Sequence, residues 1–301
     1  MIKKIPLPIT GVALGFAALG NLLQSYSETV RLVCGAIAAV LLLLYIMKMI
    51  MYPGSLKEDM KNPIMASVFC TFPMAFMLLA AYVKPWLGSF AQIIWYAAIL
   101  LHIVLILYFT RTFMVKIQMP KVFASYYIVY VGIVVASVSA PAFGATGLGT
   151  VLFWFGFVML LALLVLVTKR YISYREIPEP AQPLFCIYTA PASLCLAGYI
   201  QSVENKSIGM IGFIALLACL LYLVVLVKLP VYLKMKFYPS YAAFTFPFVI
   251  SAIAMKQTAA SLTKMGSPIP QLGIVVTIET AIAVVLMVYT LVRYLLFITS
   301  K

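Results

Sequence analysis

Long apolar stretches separated by short charged connections dominate the chain. Because a helix needs about 20 residues to cross a bilayer, the pattern predicts ten membrane-spanning helices. The apolar stretch 122–168 is long enough for two of them, and Pro141, Gly144 and Gly147 mark the turn between the two. The predicted helices lie near 7–25, 29–52, 63–83, 86–113, 121–140, 147–172, 182–203, 206–230, 239–257 and 268–298.

Three Thr-x-Pro tripeptides lie inside these stretches: Thr71-Phe72-Pro73, Thr189-Ala190-Pro191 and Thr245-Phe246-Pro247. A proline within a helix removes a backbone hydrogen bond and bends the helix. A step of about 59 residues from Pro73 reaches Gly132, a second step reaches Pro191, and a step back from Pro73 lands beside Gly15. This regular spacing predicts five repeated helical hairpins, each with a bent first helix.

The two helices of each predicted hairpin differ in character. The odd-numbered helices contain small, hydroxyl-bearing, aromatic and kink-forming residues, whereas the even-numbered helices are plain apolar rods. Small residues allow helices to approach closely, and hydroxyls can bond the carbonyls that proline leaves free. We therefore expect an all-α integral membrane protein, a single transmembrane domain over 1–301, with the odd helices in quasi-five-fold arrangement around a central pore.

Composition and charge agree with a membrane protein. Hydrophobic residues make up 65% of the chain and charged residues 9%, well away from the averages of soluble proteins. The net charge of +14 comes from basic residues shared among short connections, so nucleic acid is not an expected partner and membrane lipid is. The predicted connections on one side hold all but five of the 21 lysines and arginines, and the positive-inside rule places that side, with both termini, in the cytoplasm. The five on the other side are Arg31, Lys84, Lys206, Lys256 and Lys264.

Residues for catalysis or metal binding are sparse. The chain has one histidine, His102, and its five cysteines fall in apolar segments without a CxxC pair. We expect no enzyme, no metal site and no cofactor.

Three charged residues near or within spans are candidates for a role in transport. Glu279 is the one carboxylate deep in a predicted span, where it is either a proton-coupling group or the partner of a hydroxyl or lysine. Lys256 and Lys264 flank one end of the ninth predicted helix, where they either attract anions to a pore mouth or face the lipid headgroups.

Two segments resemble the tellurite-resistance/dicarboxylate transporter family, which includes TehA and the plant slow anion channels. They are Gly11-Val12-Ala13-Leu14-Gly15-Phe16-Ala17-Ala18-Leu19 and Tyr241-Ala242-Ala243-Phe244-Thr245-Phe246-Pro247. The chain departs from the family at Ala242, where tryptophan is common, and at Gly132, which replaces a proline. The resemblance implies five hairpins around a pore, anion permeation, and a homotrimer with one pore in each protomer.

The resemblance also assigns roles to residues. It implies that Phe246 closes the pore, whereas the sequence by itself allows a packed aromatic there. Phe72 holds the equivalent repeat position and is the candidate for a second part of the gate. The remaining candidates for lining or bending the pore are Gly15, Phe16, Thr71, Pro73, Gly132, Thr189, Pro191, Thr245 and Pro247.

Two functions share this fold. The first is a channel for small inorganic anions. The alternative is a proton-coupled transporter of dicarboxylates, or a tellurite efflux protein. We expect a multi-pass protein of the plasma membrane, the inner membrane in a bacterium.

Overall fold

The computed structural model describes residues 2–300, and this part of the chain is helical with no β-strand. The α-helices are α1 (Ile9–Leu23), α2 (Glu28–Met51), α3 (Pro53–Asp59), α4 (Pro63–Phe69), α5 (Thr71–Leu87), α6 (Ser89–Phe109), α7 (Tyr126–Tyr130), α8 (Val134–Ser139), α9 (Thr146–Ser173), α10 (Ala190–Ser202), α11 (Ile208–Leu233), α12 (Phe246–Lys264) and α13 (Leu272–Thr299). Shorter 3₁₀ segments include Glu179–Thr189 before α10 and Pro239–Phe244 before α12.

Seven helical stretches within residues 2–300 are long and apolar enough to cross a membrane. They are Glu28–Met51, Pro63–Leu87, Ser89–Met114, Thr146–Ser173, Glu179–Ser202, Ile208–Leu233 and Leu272–Thr299. The other predicted segments are shorter or interrupted: α1 has 15 residues, the fifth predicted helix is divided into α7 and α8, and α12 has 19 residues after its 3₁₀ entry. The protein is an all-α, multi-pass membrane protein.

Burial separates helices that face the interior from helices that face outward. In Glu179–Ser202 and Pro63–Leu87, 89% and 72% of the most apolar window is buried, against 28% in Ile208–Leu233. A helix that is apolar all round and mostly exposed in the isolated chain suits contact with lipid. The outward helices are α2, α6, α9, α11 and α13.

The inward helices contact one another in a closed order. Helix α1 packs on α5, α5 on α8, α8 on α10, α10 on α12, and α12 again on α1. Each also packs on the outward helix that follows it in the chain. Near the two ends of the chain, the Lys4 Nζ donates to the carbonyl of Ser300 at 2.6 Å, so both ends lie on one side of the bundle.

Each Thr-x-Pro tripeptide lies where an α-helix starts. The backbone leaves helical angles only at Thr245, with φ −100° and ψ −101°, whereas Cys70 and Thr189 keep them. Helix α4 ends at Phe69 and α5 begins at Thr71, and α10 and α12 likewise begin within their tripeptides. Each proline therefore stands in the first turn of a new helix, where the backbone N–H it lacks would have had no helical partner. The proline begins a helix here instead of distorting one.

Candidate functional site: a conduit divided at Phe246

Two cavities lie end to end among the inward helices. The proximal cavity, on the side of the chain ends, has a volume of about 380 Å³ and includes Pro8, Asn62, Pro178 and Ser240 in its lining. The distal cavity has a volume of about 350 Å³ and is lined near the far ends of the same helices, for example by Gln201. Together they form an interrupted path along the bundle.

Phe246 and Leu194 separate the two cavities. Within residues 2–300 they are the only side chains that line both. Phe246 is the first residue of α12 and Leu194 lies one turn into α10. An aromatic and a branched aliphatic side chain therefore lie at the junction of the two cavities.

Thr245 positions Phe246 through the break before α12. Its Oγ1 donates to the carbonyl of Ala242 at 2.6 Å and lies 3.2 Å from the carbonyl of Gly11 on α1. The hydroxyl shares the Ala242 carbonyl with the backbone N–H of Thr245, which lies 3.2 Å from that oxygen, and so reinforces the end of the 3₁₀ segment. It also fixes the start of α12 against α1, so the direction in which Phe246 leaves the backbone is set by both helices.

The same local bond occurs at the other two tripeptides. Thr71 Oγ1 donates to the carbonyl of Val68 at 2.8 Å, and Thr189 Oγ1 donates to that of Cys186 at 3.0 Å. In all three tripeptides the hydroxyl bonds the carbonyl three residues earlier. Thr10, which has no proline two residues later, makes the same bond to the carbonyl of Leu7 at 3.0 Å, so the bond is a general contact of threonines in these helices.

Gly15 lies directly behind the junction of the two cavities. On α1, Leu14 lines the proximal cavity and Ala18 the distal one, so Gly15 is at the level of the junction. A Cβ on Gly15 would lie 3.0 Å from the backbone nitrogen of Phe246. Absence of a side chain at this position allows α1 and the start of α12 to meet.

Other predicted pore residues divide between the lining and the layer behind it. Thr71, Gly132, Pro191 and Pro247 line the proximal cavity. Among the described residues, Pro73, Thr189 and Phe16 line neither cavity and are buried. A Cβ on Gly132 would lie 2.7 Å from the Met74 sulfur, so the glycine gives α5 room beside the fifth predicted helix.

Phe72 points away from the conduit, although its tripeptide is identical to that of Phe246. In the described chain it lines neither cavity. Its ring stacks on Phe69 at 5.4 Å between centroids and contacts Phe76 at 5.0 Å and Tyr45 at 6.3 Å. The structure therefore does not bring the two phenylalanines of the predicted gate together.

The predicted charged residues lie off the conduit. Lys256 donates to the carbonyl of Leu22 at 2.8 Å and to the Ser25 hydroxyl at 2.5 Å, while Lys264 is exposed at the end of α12. Glu279 is 4% exposed and lies beside Ser251 and Tyr222, between α11, α12 and α13. One Glu279 carboxylate oxygen is buried without a hydrogen-bond partner among residues 2–300.

Sequence reasoning missed Leu194 and the place of Arg31. Leu194 has no feature that separates it from other leucines in an apolar helix. Arg31, in the sequence one of the five basic residues on the less basic side, lines the distal cavity. The signal that could have found this lining is the set of amide side chains near the far ends of inward helices: Asn21, Gln24, Gln201 and Gln257.

Metal chemistry has no evident place in the site. No group of three or more His, Cys, Asp and Glu side chains within residues 2–300 could hold a metal ion. His102 is fully buried on α6, with its Nε2 2.9 Å from the carbonyl of Val129. The conduit is thus lined by apolar groups, backbone and neutral polar side chains, with Arg31 as its charged member.

Comparison with known proteins assigns the chain to a family. No curated protein matches the chain. The sequence model of the SLAC1 family, described as voltage-dependent anion channel, matches residues 4–295. Since the match covers nearly the whole chain, this protein belongs to the SLAC1 family of anion channels and transporters.

Proposed function

We propose that the protein conducts small inorganic anions through the path formed by the two cavities, and that Phe246, assisted by Leu194, closes this path. The observation that carries the proposal is the position of these two side chains, which line both cavities. Family membership supports an anion as the transported species. The absence of a carboxylate from the lining of either cavity in residues 2–300 supports it as well.

The proposed architecture is five hairpins, ten membrane-crossing segments, around this conduit. The closed order of contacts through α1, α5, α8, α10 and α12 supports it. The hydroxyl bonds that recur at three helix starts support a repeated unit. We further propose that both chain ends face the cytoplasm, because most basic residues lie on their side. The family resemblance supports a homotrimer in the plasma membrane.

Anion flux through purified protein in liposomes tests the gate. We expect Phe246→Ala to pass chloride at least about tenfold faster than the unmodified protein, because an apolar barrier of two side chains loses its larger member. Leu194→Ala should raise flux less, and the double variant should exceed both. Equal flux for Phe246→Ala and the unmodified protein, with both variants folded, would rule out the gate.

The alternative is proton-coupled transport of dicarboxylates or efflux of tellurite. Glu279 is the observation in its favour, because a buried intramembrane carboxyl is a natural proton carrier. Against it, Glu279 lies behind α12 and, within the described chain, lines neither cavity. Uptake that collapses when the proton gradient is dissipated, and that Glu279→Gln abolishes, would establish coupling. Chloride flux that is indifferent to both changes would support the channel.

A further inference from the structure

The distal cavity has a larger share of polar lining than the proximal cavity, which is mostly apolar. Its polar lining comes from the far ends of α1 and α10, the start of α2, the end of α8 and the second half of α12. The contributing side chains are Asn21, Gln24, Arg31, Ser139, Gln201 and Gln257. Bundle interiors in lipid avoid polar groups that have no task, because each one costs free energy to bury.

Arg31 is held in place but keeps hydrogen-bonding capacity. Its Nε donates to the Asn21 Oδ1 at 3.3 Å and its Nη1 to the Glu28 carboxylate at 2.5 Å. The guanidinium carbon lies 4.3 Å from the centre of the Tyr82 ring, and the side chain is 13% exposed. Its Nη2 donates to no acceptor within residues 2–300, so it can serve a ligand in the cavity.

The amide side chains also have free donors. The Asn21 oxygen accepts from Arg31, which leaves its amide N–H₂ available. The amides of Gln24, Gln201 and Gln257 donate to no group in the described part of the protein, and the Gln257 Oε1 is buried without a donor. Neutral N–H donors can replace water around an anion without the full charge that would hold it too tightly for release.

Resting on the proposed function, we propose that the distal cavity is an anion-binding vestibule for small monovalent inorganic anions such as chloride. Arg31 supplies the attraction, and the amides of Asn21, Gln201 and Gln257 replace part of the hydration shell. Glu28, paired with Arg31, reduces the net charge and so keeps binding weak enough for passage.

Binding can be tested without an open pore. The line width of the ³⁵Cl resonance reports chloride that exchanges with sites on the detergent-solubilised protein. We expect the unmodified protein to broaden this line and Arg31→Gln to lose most of the broadening. Arg31→Lys keeps the charge, so it should retain part of the broadening and show that position 31 tolerates substitution.

Lys206→Gln is the control. It removes a charge on the same side, but among the described residues Lys206 lines neither cavity. This variant should broaden the line like the unmodified protein. Equal broadening by the unmodified protein and Arg31→Gln overturns the vestibule.

Conductance provides the second test, in the Phe246→Ala background. At about 0.01 M salt, adding Arg31→Gln should lower the chloride current that enters from the distal side about threefold. This factor corresponds to the attraction between chloride and one unit charge at roughly 6 Å in a water-filled cavity. At about 1 M salt the difference should vanish, because the charge is screened. A Phe246→Ala protein that binds chloride but does not conduct would refute the gate and leave the vestibule supported. Conduction with no effect of Arg31→Gln at low salt would refute the vestibule alone.

Discussion

Gly15 and Thr245 pack so closely that a β-carbon on Gly15 would lie 2.8 Å from the β-carbon of Thr245. The same added atom would lie 2.9 Å from the Met287 sulfur. Helix α1 therefore supports the break before α12 from behind, at the level where the two cavities are separated. The position of Phe246 depends on this contact although Gly15 does not touch the conduit.

Replacement of Gly15 should disturb the gate from outside the pore. We expect Gly15→Ala to displace the start of α12, to raise chloride flux in liposomes above that of the unmodified protein, and to lower the melting temperature. Gly212→Ala on α11 is the control, because its added Cβ would meet nothing within 4 Å and the residue lines neither cavity of the described chain. Identical flux and stability in the two alanine variants would show that the close packing at Gly15 has no influence on the gate.

The Thr245 hydroxyl should stabilise the break before α12. Thr245→Val keeps the shape but removes the hydroxyl's bonds to the carbonyls of Ala242 and Gly11, and we expect a loss of about 0.5–1.5 kcal/mol in unfolding free energy. Thr245→Ser restores the hydroxyl and should recover most of this loss. Thermal unfolding in detergent measures the difference.

A control for Thr245 lies on the same helix. Thr263 Oγ1 also donates to a backbone carbonyl, that of Ala259 at 2.9 Å, but the bond is exposed. Thr263→Val should therefore change stability by well under 1 kcal/mol. If Thr245→Val is equally harmless, the backbone N–H of residue 245 is by itself enough to hold the Ala242 carbonyl, and the hydroxyl does not stabilise the start of α12.

Substitution of Phe72 distinguishes an effect on packing from an effect on the gate, because its tripeptide has the same sequence as that of Phe246. Its ring is enclosed by Phe69, Phe76 and Tyr45. We expect Phe72→Ala to lower the unfolding free energy by about 3–5 kcal/mol, as aromatic deletions in cores do. Chloride flux per folded protein should stay at the level of the unmodified protein. An increase in flux comparable to that of Phe246→Ala would return Phe72 to the gate, as the repeat spacing predicts.

Arg170 should be a structural residue of the proximal side. It is 1% exposed, and its guanidinium donates to the carbonyls of Tyr174 at 3.0 Å and Pro120 at 3.2 Å. It also lies 4.7 Å from the centre of the Phe123 ring. These contacts connect the end of α9 to the connection before α7.

Removal of the Arg170 guanidinium should cost stability. We expect Arg170→Gln to lose about 2–4 kcal/mol, because the hydrogen bonds from a buried charged donor to the carbonyls of Tyr174 and Pro120 are lost. Arg170→Lys should recover only part, since an ammonium does not present the planar fork. Lys169→Gln, one residue away, changes the charge by the same amount. Equal melting temperatures for the Arg170 and Lys169 variants would contradict this role.

The tripeptides explain both the success and the limit of sequence reasoning here. Their spacing and residue types correctly indicated inward helices, because a break in lipid requires hydroxyls and close neighbours to satisfy the backbone. They did not reveal that Phe72 and Phe246 face different ways. Phe246 follows a 3₁₀ segment, Pro239–Phe244, whereas Phe72 follows the α-helical turns of α4. The backbone leaves helical angles at Thr245, with φ −100° and ψ −101°, whereas Cys70 before the other tripeptide keeps them, with φ −60° and ψ −18°. The two phenylalanines therefore leave the chain in different directions.

The polar lining of the distal cavity could not be predicted from the sequence for a different reason. Asn21, Gln201 and Gln257 lie in helices that the apolar pattern identifies, but each amide alone is unremarkable near a helix end. Only the packing of α1, α10 and α12 brings them to one cavity. Arg31 belongs to an outward helix and reaches the cavity through its long side chain. The pattern of apolar residues in α2 does not indicate this contact.

The contact of α1 with both α12 and α13 has a consequence for the order of the chain. A closed circle of helices in which first and last are neighbours has no preferred starting point. We expect a circular permutant, with the two ends joined by a short flexible linker and the chain reopened between Tyr174 and Pro178, to insert and pack like the parent. Both the new link and the new opening would stay on one face of the membrane, so every helix would keep its direction. The sequence order of the helices would then reflect how the chain was assembled from repeats, and the packed circle would be independent of it.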